Sequence, residues 1–405
     1  MALVLPTIQE IQKKPTLSLY ALIAFINLLV FPFVPLLVFL RFVCRIKFIR
    51  LRSDRIGHFA ANTEEFLREV NAGKRQKLQY IALAPSKVAN EALLQMWKRY
   101  LTIVQFRQPS FIRYIIKLLA TRSFLSITDC FEAIPFKEDN HLWNTEKPVI
   151  TLTPAENSDG KTLLTKMNVQ GWFIGFHARD SSYLGTQWKK GDWQHTHRNC
   201  SIDNFLEAAR YISAHGGYAL RMGSVVEKKL TDLKDDHIID YATTSRTEFG
   251  DLYLMNKCKF FIGTTAGLVC VSYIFNVPNI TTNLQLLAIP PVGKHDLFIP
   301  KKVWYKPEQR FLTFKEMIDN SVLQFMSAED FEHYGLLFIE NTPEEILAVT
   351  KEMNERIDGT WKDTAEDEKL QKAFKSLYVQ GTYCFGPPAA RIGAQFLRDN
   401  KNLLG

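Results

Sequence analysis

The sequence lacks the features that mark several large classes of protein. Its six cysteines are scattered and form no CxxC pair, which argues against a disulfide framework and indicates reduced thiols in the cytosol. It contains no internal repeat and no low-complexity segment. No small-residue cleavage site follows the apolar run near the N-terminus, so this run is not typical of a signal peptide. What is present is a chain of 405 residues, 46% of them hydrophobic, which suits about two globular domains.

The positive charge of the chain is concentrated in one short segment. The formal net charge is +8, and residues 41–55 (RFVCRIKFIRLRSDR) hold six Arg or Lys against one Asp. A nucleic-acid-binding protein would more typically spread its charge over a face with interleaved aromatic residues. The sequence therefore predicts no nucleic-acid partner, and it indicates a basic segment beside a membrane.

The N-terminal part predicts a membrane anchor over residues 1–47. Residues 17–40 (LSLYALIAFINLLVFPFVPLLVFL) are almost wholly apolar and long enough to cross a bilayer. Pro32 and Pro35 would break a straight helix, so a re-entrant or interfacial hairpin is an alternative to a single span, and a buried core helix is a third interpretation. Because the larger basic group follows the run, the globular part is expected on the cytoplasmic side.

After the anchor, strand patterns and helix patterns alternate, which predicts an α/β fold with parallel sheets. The predicted strands cover 48–51, 78–84, 172–176, 218–222, 237–240 and 260–263. The predicted helices cover 62–71, with Thr63 as a possible cap, 90–100, 202–214 and 248–256.

The polar run at 154–160 has the composition of a hinge or linker. It predicts an N-terminal domain over 48–160 and a C-terminal domain over 161–388. A final helix within 389–405 is expected to pack back on the N-terminal domain.

The most informative segment is Lys259 to Thr282 (KFFIGTTAGLVCVSYIFNVPNITT). It predicts a buried strand, a slim turn of small and polar residues (Gly263, Thr264, Thr265, Ala266 and Gly267), and an apolar helix that begins at Thr265. The first turn of a helix has free N–H groups and a positive dipole end, which suit a phosphate or diphosphate. An ordinary Thr cap between a strand and a helix is the alternative.

Polar residues follow four of the predicted strands. They are His177, Ala178, Arg179 and Asp180 after the first, Arg221, Met222 and Gly223 after the second, Asp240 and Tyr241 after the third, and Thr264 and Thr265 after the fourth. In parallel sheets ligands lie outside the carboxyl ends of the strands, and Arg binds a diphosphate bidentately. The alternative for a single such Arg is a surface ion pair.

The segment 172–282, with GFHARD, GGYALRMGS and FFIGTTAGL, resembles a family of bacterial surface-carbohydrate glycosyltransferases. The similarity extends over 50–400, including RIGHFAANTEEF near the start and RIGAQFLRDN near the end. The His-x-Arg element is also similar to that of fucosyltransferases, and the strand–GTTAGL–helix to the diphosphate loop of heptosyltransferases. The resemblance implies the GT-B architecture: two Rossmann-like domains that face a cleft, with the donor bound to the C-terminal domain.

The resemblance implies roles for the donor-side residues. Arg179 would face the β-phosphate of a nucleotide sugar, and His177 would order the same loop. The turn from Thr264 to Gly267 would donate hydrogen bonds to the pyrophosphate, while residues 221–223 and 240–241 would surround the ribose and the base. No Asp-x-Asp motif lies near these strand ends, and an Arg with a helix dipole can meet the charge of the leaving group. The expected reaction therefore needs no metal and no cofactor, and the nucleotide sugar is a substrate.

The acceptor side is less defined. His58 follows Arg55-Ile56-Gly57 where heptosyltransferases carry an Asp base, so His58 is a candidate base and a structural histidine is the alternative. Asp180 and Asp192 are rival bases.

The loop 181–200 contains residues that suit a sugar or an anionic acceptor, although a plain surface loop is equally consistent with its sequence. They are Tyr183, Trp188, Trp193, Lys189, Lys190, Arg198 and Asn199. His195, His197 and Cys200 could nominally bind zinc, but no fourth ligand is evident, and no metal site is predicted.

Together these features predict a membrane-associated, inverting glycosyltransferase of the hexosyl or deoxyhexosyl class. It would act at the cytoplasmic face of the bacterial inner membrane, on a glycan or lipid-linked acceptor, in surface polysaccharide biosynthesis. The alternatives are another nucleotide-sugar enzyme, such as a two-domain epimerase, and an inactive scaffold of a polysaccharide assembly complex.

Overall fold

The fold is taken from a computed structural model of the chain. It describes residues 17–107, 129–135, 137, 139–182, 193–231, 233–320, 323, 326–379 and 387–405. The chain divides into two compact units, and the division falls between Thr151 and Leu152.

The N-terminal unit is built on a four-stranded parallel sheet in the order β3-β2-β1-β4. Its strands are β1 (Ile46–Arg50), β2 (Gln79–Pro85), β3 (Thr102–Phe106) and β4 (Phe131–Ala133). Its helices are α1 (Leu17–Val30), α2 (Val34–Phe42), α3 (Ile56–Asn71), α4 (Glu91–Trp97) and α5 (Asn140–Thr145).

The apolar N-terminal segment forms one nearly continuous helix. A 3-10 turn at Phe31–Phe33 joins α1 to α2, with a proline at the start of the turn and another at the start of α2. Leu17–Phe42 is the one helix in the described residues long and apolar enough to cross a membrane, with a hydropathy of 2.6 and only 6% of its most apolar window buried. This exposure rules out the interpretation as a buried core helix.

Helix α3 begins six residues earlier than the predicted start at Asn62, because Ile56 and Phe59 extend its apolar side. The predicted cap at Thr63 is therefore wrong: Arg55 is the N-cap, and Thr63 is 1% exposed within the helix. The later half of α3 buries polar side chains whose partners come from distant loops, which helical periodicity does not reveal.

The buried acids of α3 are bound by backbone and side-chain donors. Glu65 accepts hydrogen bonds from the backbone N–H of Lys137 (2.7 Å) and Asp139 (3.0 Å) and from Nε1 of Trp143 (3.1 Å). Glu64 accepts from Nε of Arg68 at 2.7 Å, in an ion pair whose two side chains are fully buried. The guanidinium carbon of Arg68 lies 4.4 Å from the centre of the Trp143 ring.

Some of the basic side chains that follow the apolar run form ion pairs within the N-terminal unit. Nη2 of Arg41 lies 2.5 Å from the carboxylate of Asp129, and Nζ of Lys47 pairs with both Asp129 and Glu132. Burial works to raise the pKa of Asp129, but the hydrogen bonds from Lys47 and Arg41 outweigh it and lower that pKa. The segment therefore carries less free positive charge than its composition indicates.

The C-terminal unit is built on a seven-stranded parallel sheet in the order β14-β10-β9-β8-β5-β6-β7. Its strands are β5 (Phe173–Phe176), β6 (Tyr218–Arg221), β7 (Ile238–Ile239), β8 (Phe261–Gly263), β9 (Asn279–Leu284), β10 (Leu297–Pro300) and β14 (Arg391–Ile392). A smaller antiparallel sheet contains β11 (Lys302–Tyr305), β12 (Arg310–Phe311) and β13 (Leu336–Ile339). The predicted α/β class with parallel sheets is confirmed, and the sheets of the two units are separate. That the units face a common cleft stays a prediction.

Ten helices of the C-terminal unit are described. They are α6 (Pro154–Lys166), α7 (Leu206–Ala214), α8 (Tyr241–Thr244), α9 (Glu248–Lys257), α10 (Val269–Ile274), α11 (Phe314–Asp319), α12 (Ala328–His333), α13 (Pro343–Asp358), α14 (Ala365–Ser376) and α15 (Ala394–Asp399). Short 3-10 turns cover Trp193–Arg198, Ile202–Phe205, Lys306–Glu308 and Lys401–Leu404.

The run 154–160 is the start of α6, so its interpretation as a hinge is wrong. Thr153 and Glu156 form a capping box, and Pro154 takes the first helical position, where its missing N–H costs nothing. Helix α6 packs on α9, where a Cβ at Gly160 would lie 2.1 Å from Cδ2 of Tyr253. The predicted domain ranges stay predictions. The last helix, α15, contacts α13 and α14 within its own unit, and its packing on the N-terminal domain stays a prediction.

Candidate functional site

Basic side chains follow two strands of the seven-stranded sheet, β5 and β10, at their carboxyl ends. Arg179 lies three residues after β5, and Lys301 comes directly after β10. The loop that ends in Arg198 and Asn199 returns to the same edge, because the backbone N–H of Cys200 donates to the carbonyl of Arg179 at 3.1 Å. We call Arg179, Arg198 and Lys301 the strand-end cluster.

Arg179 is fixed at both ends. Its backbone N–H donates to Oγ1 of Thr264 at 3.1 Å, which ties the end of β5 to the end of β8. Its guanidinium Nη1 donates to the side-chain carbonyl of Asn199. Arg179 is 8% exposed, so it is not the surface ion pair that the sequence left open.

Arg198 and Asn199 lie with the predicted donor residues, although the sequence assigned them to the acceptor side or to a loop. Nη2 of Arg198 donates to the carbonyl of Thr265 at 2.6 Å, and Nδ2 of Asn199 donates to the hydroxyl of Ser181 at 2.7 Å. Both residues therefore contribute to the edge where Arg179 lies.

Lys301 is a member of the cluster that the sequence analysis missed. It is 2% exposed, and its ammonium donates to the carbonyls of His197 (3.0 Å) and Asn199 (2.6 Å). Burial lowers the pKa of Lys301, while Glu340 acts in the opposite direction. An apolar run that ends in Pro300-Lys301 was the available signal, since it predicts one more strand end.

The turn after β8 is slim, as predicted, but the helix begins later. Thr265 to Leu268 are half-buried turn residues, and α10 starts at Val269, so the prediction that it starts at Thr265 is wrong. The N–H groups of Val269 and Cys270 bond to the carbonyls three residues before them, which consumes donors that a helix N-terminus would offer. In the described part of the chain, the buried Oγ1 of Thr265 has no hydrogen-bond partner. Ala266 and Gly267 belong to the same turn.

His177 lies between β5 and Arg179. Its backbone N–H donates to the carbonyl of Ile262 at 2.9 Å, and its buried Nδ1 has no partner among the described residues. Burial lowers the pKa of His177 to about 4, Asp180 opposes this, and the charges of Arg221 and Arg179 add to it. The ring is therefore neutral near pH 7.

Arg221 and Asp240 pair with each other inside the unit. Their side chains are 2% and 6% exposed, and Nη1 of Arg221 lies 3.3 Å from Oδ2 of Asp240. Nη1 also donates to the carbonyl of Lys228 at 2.6 Å, and the carboxylate of Asp240 accepts from the N–H of Leu230 at 2.9 Å. The pair thus shapes the loop after β6.

Two other residues predicted around the ribose and base are core residues. Met222 and Tyr241 are both 0% exposed, and the Tyr241 hydroxyl donates to the carbonyl of Thr247 at 2.9 Å. Their side chains therefore do not line a binding surface. Gly223 has φ +148°, and a Cβ there would lie 2.8 Å from Cγ1 of Val226, so this position favours glycine.

Asp180 connects two strand ends. One carboxylate oxygen accepts from the N–H of Ser182 at 3.0 Å, and the other accepts from the N–H of Glu227 at 2.9 Å. Each oxygen keeps a second lone pair, so the residue can still accept a proton.

His58 belongs to the N-terminal unit, in the first turn of α3 next to Arg55. Nη2 of Arg52 lies 3.0 Å from Nε2 of His58, and Nδ1 lies 3.2 Å from Oδ1 of Asn62. Arg52 can only donate, so Nε2 accepts and Nδ1 carries the proton. Burial, with the charge of Arg52, lowers the pKa of His58. The lone pair that a base needs is therefore already engaged.

Several predicted loop residues lie outside the described part of the chain. These are Tyr183, Trp188, Lys189, Lys190 and Asp192. Trp193 begins the 3-10 turn that leads to Arg198. Among the nominal zinc ligands, the ring of His197 packs on Phe331 at 4.7 Å, and burial raises the pKa of the Cys200 thiol to about 12. The described residues contain no group of three side chains that could hold a metal ion.

No protein-family model and no curated protein matches the sequence. Several solved structures are similar to it. A family 9 glycosyltransferase from Veillonella parvula is 10% identical, with a TM-score of 0.40, over 58% of this chain and 80% of that one. The ADP-heptose lipopolysaccharide heptosyltransferase II of E. coli is 10% identical, with a TM-score of 0.39, over 62% of this chain and 90% of that one.

A dodecameric iron-containing heptosyltransferase, TibC, solved with ADP-D-β-D-heptose, is 8% identical, with a TM-score of 0.32, over 62% of each chain. None of the three is a fucosyltransferase, and that resemblance stays a prediction.

Proposed function

We propose that the protein is a glycosyltransferase that binds the diphosphate of a nucleotide sugar at the carboxyl edge of its seven-stranded sheet. The observation that carries this proposal is the fixed position of Arg179. Thr264 holds its backbone and Asn199 holds its guanidinium, directly beside a slim turn. Ligands of parallel α/β sheets lie at this edge.

The contacts of the strand-end cluster favour an anionic ligand. The hydrogen bonds described for its three cations go to neutral oxygens: an amide for Arg179, and backbone carbonyls for Arg198 and Lys301. These bonds fix where the three cations lie, and cations gathered at one edge of a sheet attract an anion. The buried hydroxyl of Thr265 has no partner in the described residues and could donate to a phosphate oxygen.

The chemistry follows from the position of the diphosphate. An acceptor hydroxyl attacks the anomeric carbon from the face opposite the leaving group, the bond from that carbon to the phosphate oxygen breaks, and the configuration inverts. The hydroxyl proton passes to a base, and the nucleoside diphosphate leaves with additional negative charge. Arg179 and Arg198 would stabilise that charge, so no divalent metal is required.

The base is proposed among the predicted candidates. Asp180 keeps proton-accepting capacity beside the cluster. His58 would first have to release Arg52 from its Nε2. The apolar helix at Leu17–Phe42 supports a lipid-linked or membrane-bound glycan as the acceptor, and with it a place at the cytoplasmic face of the bacterial inner membrane in surface polysaccharide synthesis. A hexosyl or deoxyhexosyl donor is proposed on the sequence resemblance alone.

The proposal is tested by isothermal titration of the full-length protein with the diphosphates of guanosine, uridine and adenosine. Arg179→Ala should weaken binding of the preferred one about 10- to 150-fold, because a charge-assisted hydrogen bond contributes about 1.5–3 kcal/mol. Arg179→Lys should restore part of the affinity, since the ammonium keeps the charge but loses the bidentate geometry.

Arg310→Ala is the matched control, because Arg310 lies in the same unit and pairs with Glu308 and Glu316. It should leave the affinity unchanged. Affinities within twofold of wild type for Arg179→Ala would overturn the donor site. The alternatives are separated with nucleotide sugars as ligands. Epimerisation of the bound sugar would favour the epimerase, and binding without turnover with any acceptor would favour the scaffold.

A further inference from the structure

The apolar N-terminal helix exposes one continuous face to the outside. Six of its large side chains show the extent of this outer face, and they are between 52% and 70% exposed. They are Phe25, Leu28, Phe31, Phe33, Phe39 and Phe42. An apolar face of this length marks contact with a lipid or protein surface.

The opposite face of the same helix is held by the N-terminal unit. Val30 and Leu37 pack against Phe131, with which they form one apolar cluster at the sheet. Four residues beyond Leu37, Arg41 is 4% exposed and bonded to Asp129. Ile26, four residues before Val30, is 4% exposed. The spacing of these residues keeps them on one side of the helix.

The attached part of the helix is too long to leave room for a membrane span. From Val30 to Arg41 the helix is fixed to the unit, and Ile26 is buried as well, so at most residues 17–29 could enter a bilayer. At 1.5 Å per residue they cover roughly 20 Å, whereas the hydrocarbon core of a bilayer is about 30 Å thick. Lys13 and Lys14 prevent the apolar run from continuing towards the N-terminus.

Positive charge lies at the C-terminal end of the outer face. Arg45 is exposed, and its Nη2 donates to the backbone carbonyl of Lys77, which is itself an exposed residue, at 2.6 Å. Exposed cations beside an apolar face fit the anionic headgroups of a bilayer surface.

We infer that the helix Leu17–Phe42 lies in the plane of an anionic bilayer, with its outer face among the acyl chains, and does not cross the membrane. The N-terminus and the globular units are then on the same side. This inference deepens the membrane association contained in the proposed function, and it stands independently of the donor site.

The first experiment is flotation of the full-length protein with vesicles of phosphatidylglycerol and phosphatidylethanolamine. Phe39→Asp and Phe42→Asp should each reduce vesicle binding about 10- to 100-fold, because each removes a large apolar side chain from lipid. Val379→Asp is the control: Val379 is 69% exposed but lies in the C-terminal unit, and its replacement should have no effect. Unchanged flotation of both Phe variants would overturn the inference. So would a loss of self-association in light scattering without a loss of flotation, which would assign the face to a second copy.

The second experiment separates lying in the plane from crossing it. Cys44 is exposed at one end of the helix, and Ser18→Cys places a thiol at the other. Each is tested as the one accessible thiol, with Cys270 and Cys384 replaced by Ser, using a membrane-impermeant maleimide on intact spheroplasts and after lysis. We expect both positions to react on the same side. Reaction of the two on opposite sides would establish a span and overturn the inference, while nucleotide titration of the same variants reports separately on the donor site.

Discussion

The N-terminal unit and the strand-end cluster of the C-terminal unit differ in the described partners of their cations. In the N-terminal unit, cations and carboxylates pair directly: Arg68 with Glu64, and both Arg41 and Lys47 with Asp129. In the strand-end cluster of the C-terminal unit, the described hydrogen bonds of the cations go to neutral amide and carbonyl oxygens. Paired charges stabilise a structure, whereas hydrogen bonds to neutral oxygens fix where a cation lies.

The comparison bears on the donor site proposed at one edge of the seven-stranded sheet. Both units have parallel sheets with basic residues beyond their strands, so the type of residue alone does not distinguish them. The partner does. Arg221, which follows β6, makes the same point within the C-terminal unit, because its buried pairing with Asp240 makes it structural.

The largest expected effect tests the paired charges of the N-terminal unit. Arg68→Met should lower the free energy of unfolding by about 3–5 kcal/mol, because it leaves the carboxylate of Glu64 buried without its cation. Burial already raises the pKa of Glu64, and Arg68 is the main group that opposes this. Urea denaturation followed by tryptophan fluorescence measures the change.

Arg99→Met is the control for this variant, since Arg99 is exposed and donates to the carbonyl of Thr151 at 2.6 Å. It should cost less than about 1 kcal/mol. Equal losses for the two variants would show that the buried pair has no special role.

The next effect concerns the loss of folding stability at acid pH that is caused by His177, which lies near the strand-end cluster. The pKa of His177 falls from 6.5 to about 4 on folding, so the unfolded chain binds its proton first as the pH drops. The contribution of His177 to the free energy of unfolding is fully present above pH 6.5 and decreases below it. At pH 5 the loss is about 2 kcal/mol. The difference between the free energies of unfolding at pH 7 and pH 5 should therefore be smaller in His177→Gln. An identical difference in both proteins would contradict the lowered pKa.

The smallest effect tests the hydrogen bonds that Lys301 donates to backbone carbonyl oxygens. Lys301→Met removes the bonds that hold the carbonyls of His197 and Asn199, so Arg198 loses its fixed position. We expect nucleoside diphosphate binding to weaken about tenfold, equivalent to about 1.4 kcal/mol. The adjacent Lys302→Met is the control, because Lys302 pairs with Glu345 at 3.1 Å instead. Titration that gives equal affinities for both variants would remove Lys301 from the site.

The sequence predicted the parallel sheets well because their strands are short apolar runs between turns. The strand expected at 78–84 lies at Gln79–Pro85, and the strand expected at 172–176 lies at Phe173–Phe176. The residues at which helices begin were harder to predict from the sequence. Thr153 with Glu156 is a local capping signal that was overlooked, whereas the burial of the acids in the later half of α3 depends on loops far along the chain.

The grouping of the predicted residues at one sheet edge was predictable, their contacts were not, and their role as a donor site stays a prediction. Arg179, Thr264 and Thr265 meet at the expected edge, since strand ends follow from the sheet. The pairing of Arg221 with Asp240, and the burial of Met222 and Tyr241, depend on packing that no spacing encodes. Lys301 was missed because the strand before it was not predicted.

The contact between Gly160 and Tyr253 limits which sequences this fold can accept. A single methyl group at position 160 would have to occupy the space of the tyrosine ring, so α6 would be forced away from α9. Homologous sequences should therefore change this position only together with position 253. Residues 160 and 253 should therefore vary together among homologues, although neither touches the strand-end cluster in any contact described.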